Sequence, residues 1–550
     1  MSRLRMEIRP KSKLRLRPTA AGTAIRVPQV PGVGLLSAAE LNYVPGNCTV
    51  FGEYEHSSGE TMPSKPTTRW QISGYNFLVR RMEHALVRRD VRMLHDPMRS
   101  QVRSYVVGLV LAVLVLAGCG VLALLRPQDK IGQNTILIGK ESGSVYVVLN
   151  DVVHPALNLA SARLAANEAP DAAIVKEAEV GKKARGPLIG IPGAPSAIHY
   201  DAAGNGRQWT ICDEMKTDGS GDRTTSVLAG GLELGAKASV MDPGKALLVQ
   251  GENHTYLIYD RKRARIDMTD RAVTDALKIT GATPRPVSEG LINAIPEVLP
   301  VIRPAIADVG GAPGFEVSGH RIGDVVQVGN SGTEYHVVLA DGLQPISALT
   351  GEIIRNSNPQ TPGDDRIDQR ERTDAPVSEA LQVGDYPQTA PAVLEGKDHP
   401  VGCLSWKPIP EAGENTGTRA GLAVVTGVSL PMPDKAKLVP LAQADGSGQN
   451  VDSAYMAPGT GAYVQSTGIE PDSRRKDSIF YIADTGVRYG IKNADAAKAL
   501  GMPEKAEPAP WPIVGLLAPG PTLGREEALV AHDGVAPDPS PADQAVASTK

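Results

Sequence analysis

The chain has 550 residues, with 57 Lys+Arg against 61 Asp+Glu, 41% hydrophobic residues and only 4% aromatics. Its 57 Gly and 44 Pro fall below the level of wholesale disorder, and four Cys exclude a disulfide miniprotein or a zinc-finger array. Residues 1–126 hold 18 Lys/Arg against 8 Asp/Glu and the rest hold 39 against 53; with an apolar segment between the halves, this is the bias of a membrane protein, not of a nucleic-acid binder.

Residues 1–65 drift without periodicity. They read as an unstructured tail or a mis-assigned start, with Met62 as a natural beginning. Residues 66–103 read as a basic amphipathic helix. Leu78, Met82, Ala85 and Leu86 recur at helical spacing, and Arg80, Arg81, Arg88 and Arg89 line a shared polar flank over Gly74–Met93. Two readings fit such a helix: a solvated segment resting on anionic headgroups, or a docking helix for a membrane partner with Trp70, Tyr75 and Phe77 as anchors.

Within residues 104–126, Tyr105–Leu125 carries no charge and no proline, long enough to cross a bilayer. Eight Arg between Arg69 and Arg103, against Glu83, Asp90 and Asp96, put the N-terminal part inside and residues from 127 onward outside. Leu116-Ala117-Gly118-Cys119 matches a lipobox. The apolar run continues past Cys119 and lies far from either start, which favours an uncleaved span.

The external body contains Cys212 and Cys403, on the side where oxidation is permitted. One disulfide between them is the simplest reading; two buried free thiols are the alternative. A diffuse repeat runs through residues 127–533. Each copy has an apolar-aromatic strand, an Asp turn, a second strand and a capped helix. The turn residues are Asp151, Asp260, Asp341 and Asp484, and the expected caps are Asn158, Thr269, Ser347 and Asn493. Their uneven spacing excludes a solenoid and suggests four small ββα modules around a central domain made of the intervening segments. Arg185–Pro195 would be a rigid loop, and residues 534–550 read as a disordered tail. The fold class is therefore α+β on a single span.

No P-loop, GxSxG, HExxH or CxxC is present. The nearest approach to a P-loop, Gly230–Ser239 (GGLELGAKAS), has Ala236 where the lysine belongs and Lys237 one position late. His154, His254 and His336 lie on or near repeat strands and read as structural. No catalytic residue, metal ligand or cofactor site emerges.

Thr68-Arg69-Trp70-Gln71-Ile72-Ser73-Gly74-Tyr75, Phe77-Leu78-Val79-Arg80-Arg81 and the single span resemble the EccB family of the mycobacterial type VII (ESX) secretion machinery. The likeness continues through His154–Leu164, Gly190–Pro195, Cys212-Asp213, Thr269–Ala272, Ser288-Glu289-Gly290 and Gly486–Gly490, roughly residues 65–530. It implies a cytoplasmic helix, one span in the inner membrane, and a periplasmic part with a central domain and four repeat domains. It also implies assembly with EccC, EccD, EccE and further copies of the chain. Family members often carry an ATPase label, and ATP would be a cofactor only if that label held here. A structural subunit is the leading expectation. A nucleotide hydrolase and a periplasmic receptor for cell wall or substrate are the rivals.

Overall fold

The computed structural model describes residues 68–89, 97–125, 131–201, 206–329, 334–358, 365–409 and 419–535. The expected tail or start over residues 1–65 and nearly all of the 534–550 tail lie outside the described residues.

Helix α1 spans Arg69–Arg88. It opens on a capping box: the Thr68 hydroxyl accepts from Gln71 N–H at 3.4 Å, and the Gln71 side chain accepts from Thr68 N–H at 3.3 Å. It ends where Arg89 turns left-handed, φ 55°, with its N–H donating to Ala85 O. Arg89 is thus a cap rather than part of the polar flank, and the helix stops short of Met93. No Gly or Asn marks that end, so periodicity alone overran it. Leu78, Met82 and Leu86 are 60%, 63% and 78% exposed, and Arg80 and Arg81 are exposed beside them.

Helix α2 runs unbroken over Pro97–Leu125, starting well before Tyr105, with proline in the first turn where no N–H is needed. Its Val102–Leu122 stretch has 21 residues and a mean hydropathy of 2.7, none of it buried. A helix apolar all round is at home only in an apolar medium. Cys119 sits exposed within it, and the helix continues past it.

After this helix the described chain forms five sheets, four of which follow one path. In the first, β1 (Ile136–Gly139), β2 (Val145–Leu149) and β3 (Val152–Ala156) form an antiparallel meander. Asn150 and Asp151, at φ 49° and 66°, make the tight turn. Helix α3 (Leu159–Ala166) then leads to β4 (Ala173–Val175), parallel to β1. Short helix α4 (Glu177–Val180) leads to β5 (Ala184–Arg185) and β6 (Leu188–Ile189), both parallel to β3.

Three strands of the central sheet follow: β7 (Trp209–Met215), β8 (Arg223–Ala229) and β9 (Ala238–Val240). The second unit repeats the first path with β10 (Lys245–Gln250), β11 (Thr255–Tyr259), β12 (Lys262–Ile266), α5 (Arg271–Ala276), β13 (Arg285–Pro286) and α6 (Glu289–Ala294). Again β13 returns parallel to β10, and Glu297 and Val301 bridge parallel to β12. The cap of α5 is Asp270, not Thr269. Both the N–H and the hydroxyl of Thr269 are spent on Asp267, so the next residue's carboxylate accepts from Ala272 N–H.

The third unit has β14 (Val325–Val328), β15 (Tyr335–Val338), β16 (Leu343–Ile346), α7 (Ala348–Ser357), β17 (Arg366–Ile367) and α8 (Gln369–Asp374). Strand β17 lies parallel to β14. Strand β18 (Ala392–Val393) then joins β10. The central sheet resumes with β19 (Val401–Pro408), β20 (Ala420–Gly427), β21 (Val439–Pro440) and β22 (Ser453–Tyr455). Its order is β21-β22-β8-β7-β19-β20-β9, so its two halves flank the second and third units in sequence.

The fourth unit has β23 (Gly461–Thr467), β24 (Ile479–Ala483), β25 (Val487–Ile491), α9 (Ala494–Ala499), β26 (Glu507–Pro510), α10 (Trp511–Val514) and β27 (Ala518–Pro519). Helix α11 (Arg525–Ala528) and β28 (Ala531–His532) close the described chain, β28 pairing with β6 of the first unit.

Apolar faces decide how these parts pack. Leu164 on α3 shares a core with Ala497 on α9, Leu500, Leu523 and Ala528, which joins the first unit to the fourth. Val273 and Ala276 on α5 share another with Leu349 and Ile353 on α7, which joins the second to the third. The central sheet buries Trp209, Ile211, Leu404 and Trp406 against the sheets of the second and fourth units.

Candidate functional site: a buried joint beside the disulfide

Strands β7 and β19 run antiparallel with Cys212 opposite Cys403 and Trp209 opposite Trp406. Side chains alternate along a strand, so the register puts the sulfurs on one face and the indoles on the other. The two cysteines are joined as a disulfide with Cα atoms 4.0 Å apart, across 191 positions of sequence. In the chain-entropy model that closure contributes about 5 kcal/mol. Leu228, Ala238, Val401 and Val425 bury the sulfur face.

Asp213 points to the indole face, where its register partner is Gly402. It is fully buried and accepts three hydrogen bonds: Ser288 N–H at 2.6 Å, the Ser288 hydroxyl at 2.9 Å and the Thr225 hydroxyl at 2.8 Å. Burial pushes its carboxyl above the usual range, while the bonds from Ser288 and Thr225 and the charge of Arg223 pull it back. Ser288 is the N-cap of α6 and also accepts from Leu291 N–H at 3.1 Å. One carboxylate of the central sheet therefore grips the start of a helix in the second unit.

Arg285 on β13 completes the joint. Its guanidinium donates to His399 O at 2.7 Å and Pro400 O at 2.8 Å, at the chain's approach to β19. Burial lowers its pKa, and the Asp213 charge opposes that. Gly402 makes room for it: a Cβ there would meet the guanidinium at 3.3 Å. A Cβ at Gly290 would meet Leu516 at 3.0 Å and Ile211 at 3.2 Å. The arrangement ties the central sheet to the second unit, and Asp213, Arg285 and Ser288 are all buried in it.

A second lock holds the first unit to its loop. Asn158 accepts from Ser161 and donates to Ile191 O at 2.8 Å, while Ile191 N–H donates to the Ser161 hydroxyl at 2.8 Å. Gly190 is left-handed at φ 137°, and a Cβ there would press on that hydroxyl at 2.9 Å. The segments His154–Leu164 and Gly190–Pro195 thus interlock.

Of the expected site residues, Cys212 and Cys403 are joined. Leu78, Arg80, Arg81, Met82, Leu86 and Arg88 belong to α1, and Arg89 caps it. Sequence reasoning missed Asp213, Arg285, Ser288 and Gly402 as one constellation, although Cys212-Asp213 and Ser288-Glu289-Gly290 stood out as motifs. The run Gly230–Ser239 passes from β8 into β9, not into a helix whose N-terminus would face a phosphate, and Lys237 pairs with Asp434. Among the described residues no cluster of three His, Cys, Asp or Glu could hold a metal.

Among the described residues, one helix long and apolar enough to cross a membrane precedes a large mixed α/β body built on a disulfide-closed sheet. Residues 64–537 match the family model described as "Type VII secretion system ESX-1, transport TM domain B". The chain is 38% identical over 492 residues to "ESX-3 secretion system ATPase EccB3" of Mycolicibacterium smegmatis, covering 86% of this chain and 92% of that protein. It is 35% identical over 490 residues to "ESX-1 secretion system ATPase EccB1" of Mycobacterium tuberculosis, covering 86% and 97%. Among solved structures, a chain of an intact ESX-5 inner membrane complex aligns with TM-score 0.68 and 31% identity, over 88% of this chain and 99% of that one. An EccB3 dimer from the ESX-3 core complex aligns with TM-score 0.63 and 36% identity, over 72% and 100%. The chain belongs to the EccB family, whose members are components of ESX inner membrane complexes.

Proposed function

We propose that this chain is a structural subunit of a type VII secretion complex. A single span anchors it in the inner membrane, the N-terminal helix docks to partner subunits in the cytoplasm, and the body assembles with other copies in the periplasm. The observation that carries this reading is the way the body is built. Four sheets share one strand path, with the fourth strand parallel to the first, and a covalently closed central sheet holds them. We read the four as copies of one repeat domain around a central domain. Such a body offers several sheet and helix faces, which suits assembly. The arginines before the span support an inside N-terminus, and the disulfide supports an oxidising compartment for the body.

The word ATPase in the relatives' names is the rival reading. The nearest approach to a phosphate-binding loop leads into an edge strand with its lysine engaged by Asp434. A scaffold role for EccC-, EccD- and EccE-type partners fits the geometry better than hydrolysis, with no cofactor needed.

The test lies on α1. Its Leu78–Met82–Leu86 face is exposed, and buried partners must interlock there if it docks. Leu86→Glu is expected to abolish co-purification of the other ESX membrane subunits while the chain still inserts; Leu86→Met is expected to preserve it. Normal assembly of the Glu variant would make α1 a lipid-resting segment instead.

A further inference from the structure

The third unit holds two buried histidines that none of the contacts above use. His336 lies on β15 between Val326 of β14 and Pro345 of β16, and is 3% exposed. Side chains alternate along a strand, so His336 shares a face with Val326, Val328, Val338 and Leu343. Those apolar residues pack with Ile367, Ala375, Phe315 and Val317. Two segments therefore cover the face: residues 315–320, and α8 with the Ala375 that ends it. His320, 8% exposed, closes the first segment, with its Nδ1 3.8 Å from Asp324 Oδ2. The Nδ1 atoms of both rings have no hydrogen-bond partner among the described residues.

Helix α8 is a light cover. No residue within Gln369–Asp374 is fully buried, and only Glu371 and Arg372 are half-buried. It is held by Glu371 Oε1, which accepts from Ser318 N–H at 3.2 Å, and by Ala375 behind it. The charges that act on His336 are Arg372 of α8 and Glu334 just before β15. Strands β14 and β16, VVQV and LQPI, bring none. Strand β17 turns Arg366 to the opposite face, level with Gln327. The 315–320 segment brings exposed Glu316 and His320 itself, which faces Asp324. Burial holds the His336 imidazole below its usual pKa, Arg372 adds to that, and Glu334 opposes it.

We propose that α8 is a pH-sensitive cover of the third sheet: protonation of His336 drives it off and uncovers the apolar face of Val326, Val338 and Leu343. In the closed form an imidazolium would hold an N–H with no acceptor beside a second cation; with α8 lifted, water solvates it. Protons therefore bind the open form preferentially. The advantage of the closed form is full above the open-form value of roughly 6.5 and declines as pH falls through it. From about pH 7.5 to about pH 5.5 one such imidazole multiplies the open population by at most about tenfold. Glu371 stays ionised across that window, because the bonds from Ser318 hold its carboxyl below the usual range.

Hydrogen exchange of the full-length protein in detergent, read on residues 369–376, tests this. Each rate is divided by the intrinsic rate of the unfolded segment at the same pH. Between about pH 7.5 and about pH 5.5 the wild-type segment is expected to speed up about three- to tenfold, while residues 349–354 of α7 stay unchanged. His336→Gln is expected to flatten the response, and His320→Gln to leave it in place. Should His336→Gln exchange rapidly at both pH values, Arg372→Gln decides: with the cation gone and the histidine kept, the rise is expected to shrink at least about twofold. A flat wild-type profile would overturn the proposal. So would a rise that survives His336→Gln, a parallel rise in α7, or a rise in Arg372→Gln equal to that of the wild type.

Discussion

Replacing Asp213 with alanine is expected to loosen the second unit from the central sheet. Three donors lose their acceptor: the Ser288 N–H at 2.6 Å, the Ser288 hydroxyl at 2.9 Å and the Thr225 hydroxyl at 2.8 Å. The hydroxyls can turn elsewhere, but the backbone N–H cannot, and stranding it costs about 1–3 kcal/mol. Arg285 also loses the favourable charge of Asp213, but its hydrogen bonds to His399 O and Pro400 O remain. The expected loss is therefore about 1–3 kcal/mol. Asp213→Asn keeps an acceptor for Ser288 N–H and should lose about 1–2 kcal/mol at neutral pH. The pH dependence has a definite sign. Burial raises the folded carboxyl above its unfolded value of roughly 3.9, so its contribution is full below that value and declines as pH rises through the folded value. The advantage of the wild type over Asp213→Asn is therefore larger near pH 4 than near pH 7. Denaturant titration of the oxidised full-length protein, read by Trp209 and Trp406 fluorescence, measures the difference. Hydrogen exchange at the Leu291 amide localises it. An alanine variant with an unchanged midpoint and a protected Leu291 amide would refute the reasoning.

Gly402→Val should destabilise by about 1–3 kcal/mol, because even a Cβ would meet the Arg285 guanidinium at 3.3 Å; denaturation midpoints check this against Gly384→Val, where nothing lies within 4 Å. Unreduced digests should yield one linked peptide pair joining Cys212 and Cys403, and two alkylatable thiols in the native protein would contradict it. Alkaline phosphatase fused after residue 130 should be active outside the cytoplasm, whereas activity only from fusions before residue 100 would reverse the topology.

The long apolar helix, the pair of body cysteines and the hairpin-plus-cap pattern were readable because each is local or compositional. Asn158, Ser347 and Asn493 cap the helices expected of them. Thr269 and Asp270 are both good cap formers, and only the fold around Asp267 decided between them. The four-strand path was not readable from the ββα pattern. Its returning strands can be as short as Arg285–Pro286 or Arg366–Ile367, too brief for any periodicity, and parallel pairing to a distant strand leaves no local mark. The joint was missed for a related reason. Asp213, Arg285, Ser288 and Gly402 sit on separate segments, and a buried arginine laid on a glycine looks in sequence like an ordinary charge and an ordinary turn former.

The split origin of the central sheet has a consequence for how the protein is made. Strands β7 and β8 are synthesised before the second and third units, and their partners β19 and β22 only after them. A chain that emerges N-terminus first can pair β7 with β8 at once but must carry the other edge of β7, with a reduced Cys212, unpaired until β19 has appeared. Meanwhile the intervening units can complete their own short-range meanders, since domains tend to fold as they emerge. The Cys212–Cys403 disulfide, once both thiols have been oxidised together, is then a record that the last half of the sheet has arrived in register. A shift of β19 by one residue would turn Cys403 to the indole face and leave both thiols open to alkylation.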